Sequence, residues 1–238
     1  MTRLNATSFV NFFAYYRGET GQLRAAELLF MALQKQAPEL LEEDADWIQA
    51  YRRKPPIRVS NPLLLDYMSQ LDNGPQGWRQ CQTSSIAMCL KYLGTRHPAT
   101  HELINDDLKY KPYVDKHGDT TSAVAHQQAL TELGVRHRFR TDMHKGDLIR
   151  EIDKGYPVAI GLLHHGPVSK PAGGGHYVVA YGYTDSYLYV QDPYGELDLI
   201  NGGWARQGVG TGKAQRYSWK NLLPRWDVDG GGWGWVFS

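Results

Sequence analysis

Apolar residues recur at helical spacing through the first fifty positions of the chain. Phe9, Phe12, Phe13 and Tyr16 fall at i, i+3, i+4 and i+7 behind a capping Ser8, and Gly18 stops the run. Leu23, Ala26, Phe30 and Leu33 place a second helix over about 22–36, with Pro38 just beyond it; a shorter helix carries Trp47, Ile48 and Tyr51. The stretch Arg52-Arg53-Lys54-Pro55-Pro56 ends all periodicity and reads as a solvated linker. The chain is therefore expected to divide into an N-terminal helical unit over 1–52, a linker over 53–62 and a larger domain over 63–238.

Beyond Leu63 the pattern mixes both periods. Leu63 to Met68 reads as a short strand feeding the loop Asp72-Asn73-Gly74-Pro75. A helix is predicted from Cys81 through Ile86, Leu90 and Leu93 to Gly94, followed by helices near Thr100–Leu108, Thr121–Leu133 and Gly146–Lys154. Strands are predicted at Val135–Arg140, Pro157–Leu163, His176–Tyr183 and Tyr187–Gln191. The last forty residues, rich in Gly and Trp, suggest a loop-heavy return with short strands. No repeat of solenoid or propeller period occurs. Helices first and an antiparallel sheet second give an α+β fold.

Composition narrows the function classes. With 42% hydrophobic and 12% aromatic residues the chain can build a core, which excludes intrinsic disorder. Its 26 basic and 25 acidic residues leave +1, so no bulk charge draws it to nucleic acid or an anionic membrane. The apolar run Leu28 to Leu33 is far short of the ~20 residues of a membrane span. The opening Met-Thr-Arg-Leu-Asn has no apolar h-region, so no signal peptide is read and a cytoplasmic start is expected. Two cysteines, Cys81 and Cys89, exclude a disulfide framework and a Cys-rich zinc site, and no cofactor is expected.

Cys81 opens its helix after a loop, where free N–H groups and the helix dipole favour a thiolate. Cys89 sits mid-helix in Ala87-Met88-Cys89-Leu90 and reads as a core residue; the ~12 Å of helical rise between the two forbids a disulfide. His176 follows Gly173-Gly174-Gly175 at the mouth of a buried strand, the place for a base that must touch both thiol and substrate. Asp192 ends the next strand, before Pro193. A hairpin turning through Thr184-Asp185-Ser186 brings it beside His176 and leaves Asp185 at the far end. For an oxyanion donor Gln70, at the end of the strand before the Cys81 loop, converges best, with Gln76 and Gln80 left open. His164-His165 reads as a solvated loop pair whose rings point to opposite faces, not as a metal site.

These residues resemble a known family. Ser69-Gln70-x-Asp72-Asn73, Cys81-x-Thr83-Ser84-x-x-Ala87-Met88 leading to Tyr92-Leu93-Gly94, Gly175-His176-Tyr177-Val178-Val179 and Gln191-Asp192-Pro193-Tyr194-Gly195 are similar to the bacteriocin-processing-peptidase-like branch of the papain-like cysteine peptidases. The likeness spans roughly 60–200 with its blocks in the family's order. It implies a papain-like α+β core holding a Cys–His–Asp site, roles that fall to Cys81, His176 and Asp192, with Gln70 at the oxyanion hole. One departure is that leader-peptidase members often carry the glutamine about six residues before the cysteine, whereas Gln70 lies eleven before.

The leader peptidases are usually fused to a transporter, and this chain shows none; the stand-alone relatives include bacterial and phage proteins that cut cell-wall peptides. The N-terminal helices and the tail Pro224-Arg225-Trp226-Asp227 with Gly231-Gly232-Trp233-Gly234-Trp235 look similar to such chains. The reading is a cysteine endopeptidase of peptidoglycan peptides, an endolysin-like bacteriophage or bacterial enzyme. It would be held in the cytoplasm until release or carried on a virion. Its rivals are a non-catalytic virion or binding module of the same fold, and a peptide acyl-transferase using the same triad.

Overall fold

A computed structural model describes residues 61–238 of the chain. The N-terminal helical unit expected over 1–52, and the linker apart from Asn61 and Pro62, lie outside the described residues.

The first described helix, α1 (Cys81–Tyr92), buries Gln82 to Leu90 almost without a break. Burying Ile86, Met88 and Leu90 contributes about 1.5–3 kcal/mol each over leaving them in water. It ends in a Schellman turn. Gly94 takes φ +63°, its N–H donates to Lys91 O, and the Thr95 N–H donates to Leu90 O. At the other end Gln80 gives no side-chain cap, so the first turn of α1 stays open beside Cys81.

Two expectations shift. The helix predicted over Thr100–Leu108 is α2 (Asp107–Asp115), because Asp106 accepts the Leu108 N–H and starts the helix there. Residues 97–101 instead wrap around His97, whose Nδ1 accepts the Ala99 and Thr100 N–H groups. The strand predicted over Leu63–Met68 is not one. Its only ladder-like bond is Leu63 N–H to Tyr181 O at 2.7 Å, and Asn61 reaches Tyr183 through its side chain. A proline between these two contacts removes the N–H that a ladder needs.

The other elements fall close to their predicted places: α3 (Ala123–Glu132), β1 (His137–Met143), α4 (Lys145–Asp153), β2 (Val158–Leu162), β3 (His176–Tyr183) and β4 (Tyr187–Gln191). The short strand β5 (Gly195–Leu197) comes next, and the final forty residues hold the short strands β6 (Trp204–Gln207) and β7 (Gln215–Ser218). They also hold two elements not foreseen, α5 (Trp219–Trp226) and β8 (Gly232–Phe237). β8 is no loose return. It enters the sheet between β1 and β2, giving the antiparallel order β1-β8-β2-β3-β4-β7, while β5 and β6 pair separately. Its glycines explain both the missed signal and the fit: a Cβ on Gly232 would lie 2.1 Å from the Trp226 ring, and one on Gly234 2.8 Å from Ala159 O.

The core lies where α1 packs on β3 and β2 and against α2, with α3 on α2 and β1, and α5 on β2 and β7. This sets the start of α1 and the starting end of β3 side by side.

Candidate active site

Both cysteines are free thiols. Cys89 is wholly buried and burial pushes its pKa far up, so it is inert. Cys81 is partly exposed at the uncapped start of α1, where the helix dipole supports an anion.

His176 opens β3 and is 3% exposed; Asp192, just past β4, is 0% exposed. The hairpin register pairs Val179 with Gln191 and Ala180 with Val190. Continued one step, it sets Asp192 opposite Val178, on the same face as His176 and diagonal to it. The two side chains meet at 2.7 Å, His176 Nε2 to Asp192 Oδ1. Asp185, at the opposite end of the hairpin, is exposed.

The Asp192 carboxylate is fully engaged. Oδ1 also accepts the Tyr194 and Gly195 N–H groups at 3.0 and 3.3 Å, and Oδ2 accepts the Tyr217 hydroxyl at 2.7 Å. Burial alone would depress the His176 pKa. The charge and hydrogen bond of Asp192 outweigh it, joined by the hydrogen bond and charge of Cys81, and the pKa rises from 6.5 to about 10. With Nε2 on Asp192, Nδ1 is the nitrogen left for the thiol. Such an array can take a proton from the sulfur, hold it as imidazolium and return it.

Gln70 begins a short 3₁₀ turn, Gln70–Asp72, that is tied to the acid. Its N–H and the Ser69 hydroxyl both donate to Pro193 O, the carbonyl next after Asp192. Its buried side chain donates from Nε2 to Gly77 O at 2.8 Å, in the turn just before Cys81, leaving the second Nε2 hydrogen to donate elsewhere. Gly77 permits this approach, since a Cβ there would lie 2.2 Å from Gln70 O. The competing glutamines are placed differently. Gln76 is exposed, and Gln80 caps the Asn73 side chain. Behind Cys81, Asp107 accepts Ser84 Oγ and Asn73 Nδ2 and braces the first turns of α1, and burial raises its pKa.

Several contributors had no local signal. Tyr217 reaches Asp192 from β7, whose pairing with β4 is long-range. Trp204 stands edge-on to His176, centroids 4.7 Å apart and planes at 88°, and Tyr194 stacks on Trp204 at 4.6 Å. The histidine pair also differs from expectation. β2 has ended at Leu162, so His164 and His165 do not alternate; their rings lie 3.9 Å apart, and His164 is half-buried 5.9 Å from His176. Burial first, then the charges of His176 and His165, lower the His164 pKa to about 4. Among the described residues no group of three or more His, Cys, Asp or Glu side chains is placed to hold a metal.

Two solved structures are similar. A protein from Bacillus anthracis described as a C39-like peptidase is 16% identical, with 74% of this chain and 94% of that one covered at a TM-score of 0.48. The peptidase domain of Streptococcus ComA, a bifunctional ABC transporter involved in a quorum-sensing pathway, is 19% identical, with 67% and 92% covered at a TM-score of 0.44. No curated protein sequence matches. Residues 63–221, about two thirds of the chain and every residue singled out above from Gln70 to Tyr217, match the model of the Peptidase_C39 like family. The helix-on-sheet core is of the papain-like α+β class, and the chain belongs to that family of peptidases.

Proposed function

We propose that this chain is a cysteine endopeptidase with Cys81 as nucleophile, His176 as general base and acid, and Asp192 as the carboxylate that orients the imidazole. The observation that carries the reading is the continuous contact from the partly exposed thiol at the start of α1 through His176 to the buried Asp192. The thiolate attacks an amide carbonyl. The oxyanion is held by the Cys81 N–H and the second Nε2 hydrogen of Gln70. His176 gives its proton to the departing amine and then draws one from the water that cleaves the thioester.

The substrate we propose is the peptide part of peptidoglycan. A cavity of about 460 Å³ adjoins the Gln70 turn, walled by Met68, Leu108 and Val209 and lined with Asp72, Asp106 and Asp107. An apolar wall with carboxylates suits a short peptide that bears a free amino group on an aliphatic stem, as stem and cross-bridge peptides do. Purified peptidoglycan incubated with the protein, followed by mass analysis of the soluble fragments, tests this. New amine and carboxyl ends in equal number are expected. Retention on the wall without fragments would indicate a binding module, and fragments joined to an added amine would indicate acyl transfer.

A further inference from the structure

Arg225, on α5, is wholly buried, and among the described residues no carboxylate lies within ion-pair distance of it. Its guanidinium spends its donors on four backbone carbonyls instead. Nε donates to Leu199 O at 2.8 Å, Nη1 to Leu163 O and His165 O at 3.0 and 3.1 Å, and Nη2 to Gly166 O at 2.7 Å. Only a planar fork with donors on three nitrogens can hold that many carbonyls at once.

The two segments it joins both end against His176. Residues 163–166 leave β2 and carry His164. Leu199 belongs to the β5–β6 connection, which returns to the same place, where the Gly203 N–H donates to His164 O at 2.7 Å. Gly202, at φ +82°, approaches so closely that a Cβ would sit 2.4 Å from Gly166 O. Trp204 follows at once, with its indole edge-on to His176.

We infer that Arg225 is a positioning residue of the site: by clamping 163–166 to Leu199 it presses the Trp204 indole and the His164 ring against the His176 imidazole and keeps water from its bond to Asp192. A dry wall lets the carboxylate act on the imidazolium at low local dielectric; water entering there screens the pair. A purely architectural arginine would affect melting and leave the titration of the site alone.

The inference rests on the Cys81–His176 pairing proposed above, and its test does not need peptide turnover. The rate of Cys81 alkylation by iodoacetamide is measured from pH 5 to 11 on the full chain, with kcat and KM on one soluble peptide alongside. Arg225→Lys keeps the charge and loses the fork. Its limb from imidazolium deprotonation should fall by ~1 pH unit or more, with kcat down about tenfold and KM within about twofold. Trp204→Leu should do the same, and Trp204→Phe, which keeps a ring, should stay within about threefold of the parent. A lower melting temperature in Arg225→Lys with an unmoved limb and kcat would overturn the inference. Should Arg225→Lys not fold, an unmoved limb in Trp204→Leu overturns it equally. Failure of the peptidase reading has another signature: no turnover in any chain while the limb is present and still shifts.

Discussion

Replacing Asp192 with asparagine removes a charge while leaving most of the hydrogen bonding in place. The amide oxygen can still accept the Tyr194 and Gly195 N–H groups, and the amide nitrogen can donate to the Tyr217 hydroxyl. Stability should therefore fall by only about 1–2 kcal/mol, the scale of one weakened buried hydrogen bond. The imidazolium loses much more. The His176 pKa stands at about 10 against an ordinary 6.5, so its partners outweigh burial and the folded site favours the charged form by a net on the order of 5 kcal/mol, at ~1.4 kcal/mol per unit. Asp192 leads that stabilisation, with a share left to Cys81. Asp192→Asn should lower kcat/KM between about ten- and a thousandfold, and the alkaline limb should retreat from near 10 towards 6.5. The assay is kcat/KM on one fluorogenic peptide from pH 5 to 11, with thermal melts for both proteins. Because the folded pKa is raised, protonated His176 contributes stability in full below about 6.5, and that contribution is lost as the pH rises through about 10. The parent's melting temperature should fall across this window and that of Asp192→Asn much less. Asp185→Asn, at the exposed far end of the hairpin, should match the parent in all three readouts. A crippled Asp185→Asn beside an unaffected Asp192→Asn would refute both the register argument and the role of Asp192.

Other outcomes follow from the same geometry. Iodoacetamide near pH 7 should label Cys81 well ahead of Cys89, whose burial blocks both access and ionisation; peptide mapping reads this, and faster labelling of Cys89 would end the assignment. Gln70→Ala should cost ~10²–10³ in kcat with little change in KM, the usual effect of losing an oxyanion donor, whereas a KM effect alone would make Gln70 a substrate contact. A chain beginning at Arg58 should fold and keep thiol-dependent turnover of a small peptide; if it is insoluble, the first fifty residues are part of the catalytic unit.

The parts of the fold that were legible in the sequence share one property: their signal is local. His176–Tyr183 and Tyr187–Gln191 are near-continuous apolar runs on either side of a polar turn, and the strands occupy those residues. Cys81 to Gly94 carries helical periodicity and its own glycine stop. The His176–Asp192 pairing was readable because two strands joined by a tight turn have few registers. What was hidden depends on distant partners. Gly232–Phe237 alternates glycine with tryptophan and lacks a strand's usual pattern, yet it pairs with β1 and β2, with the Trp226 ring crowding Gly232 and Ala159 crowding Gly234. Trp219–Trp226 contains Pro224 and reads as a loop until its apolar face meets β2 and β7. The same holds around the site. Tyr217 and Trp204 meet Asp192 and His176 from β7 and β6, and Arg225 reaches the neighbouring segment 163–166 from α5, with no spacing rule to announce them.

The thioester itself is the decisive observable. Mixing the protein with a cleavable peptide, quenching in acid within the first turnovers and weighing the intact chain should reveal the acyl half of the substrate on Cys81, matched by a burst of released amine. No adduct should form on Cys81→Ala, and its turnover should vanish. Undiminished peptide cleavage by Cys81→Ala would contradict a thiol mechanism at this site.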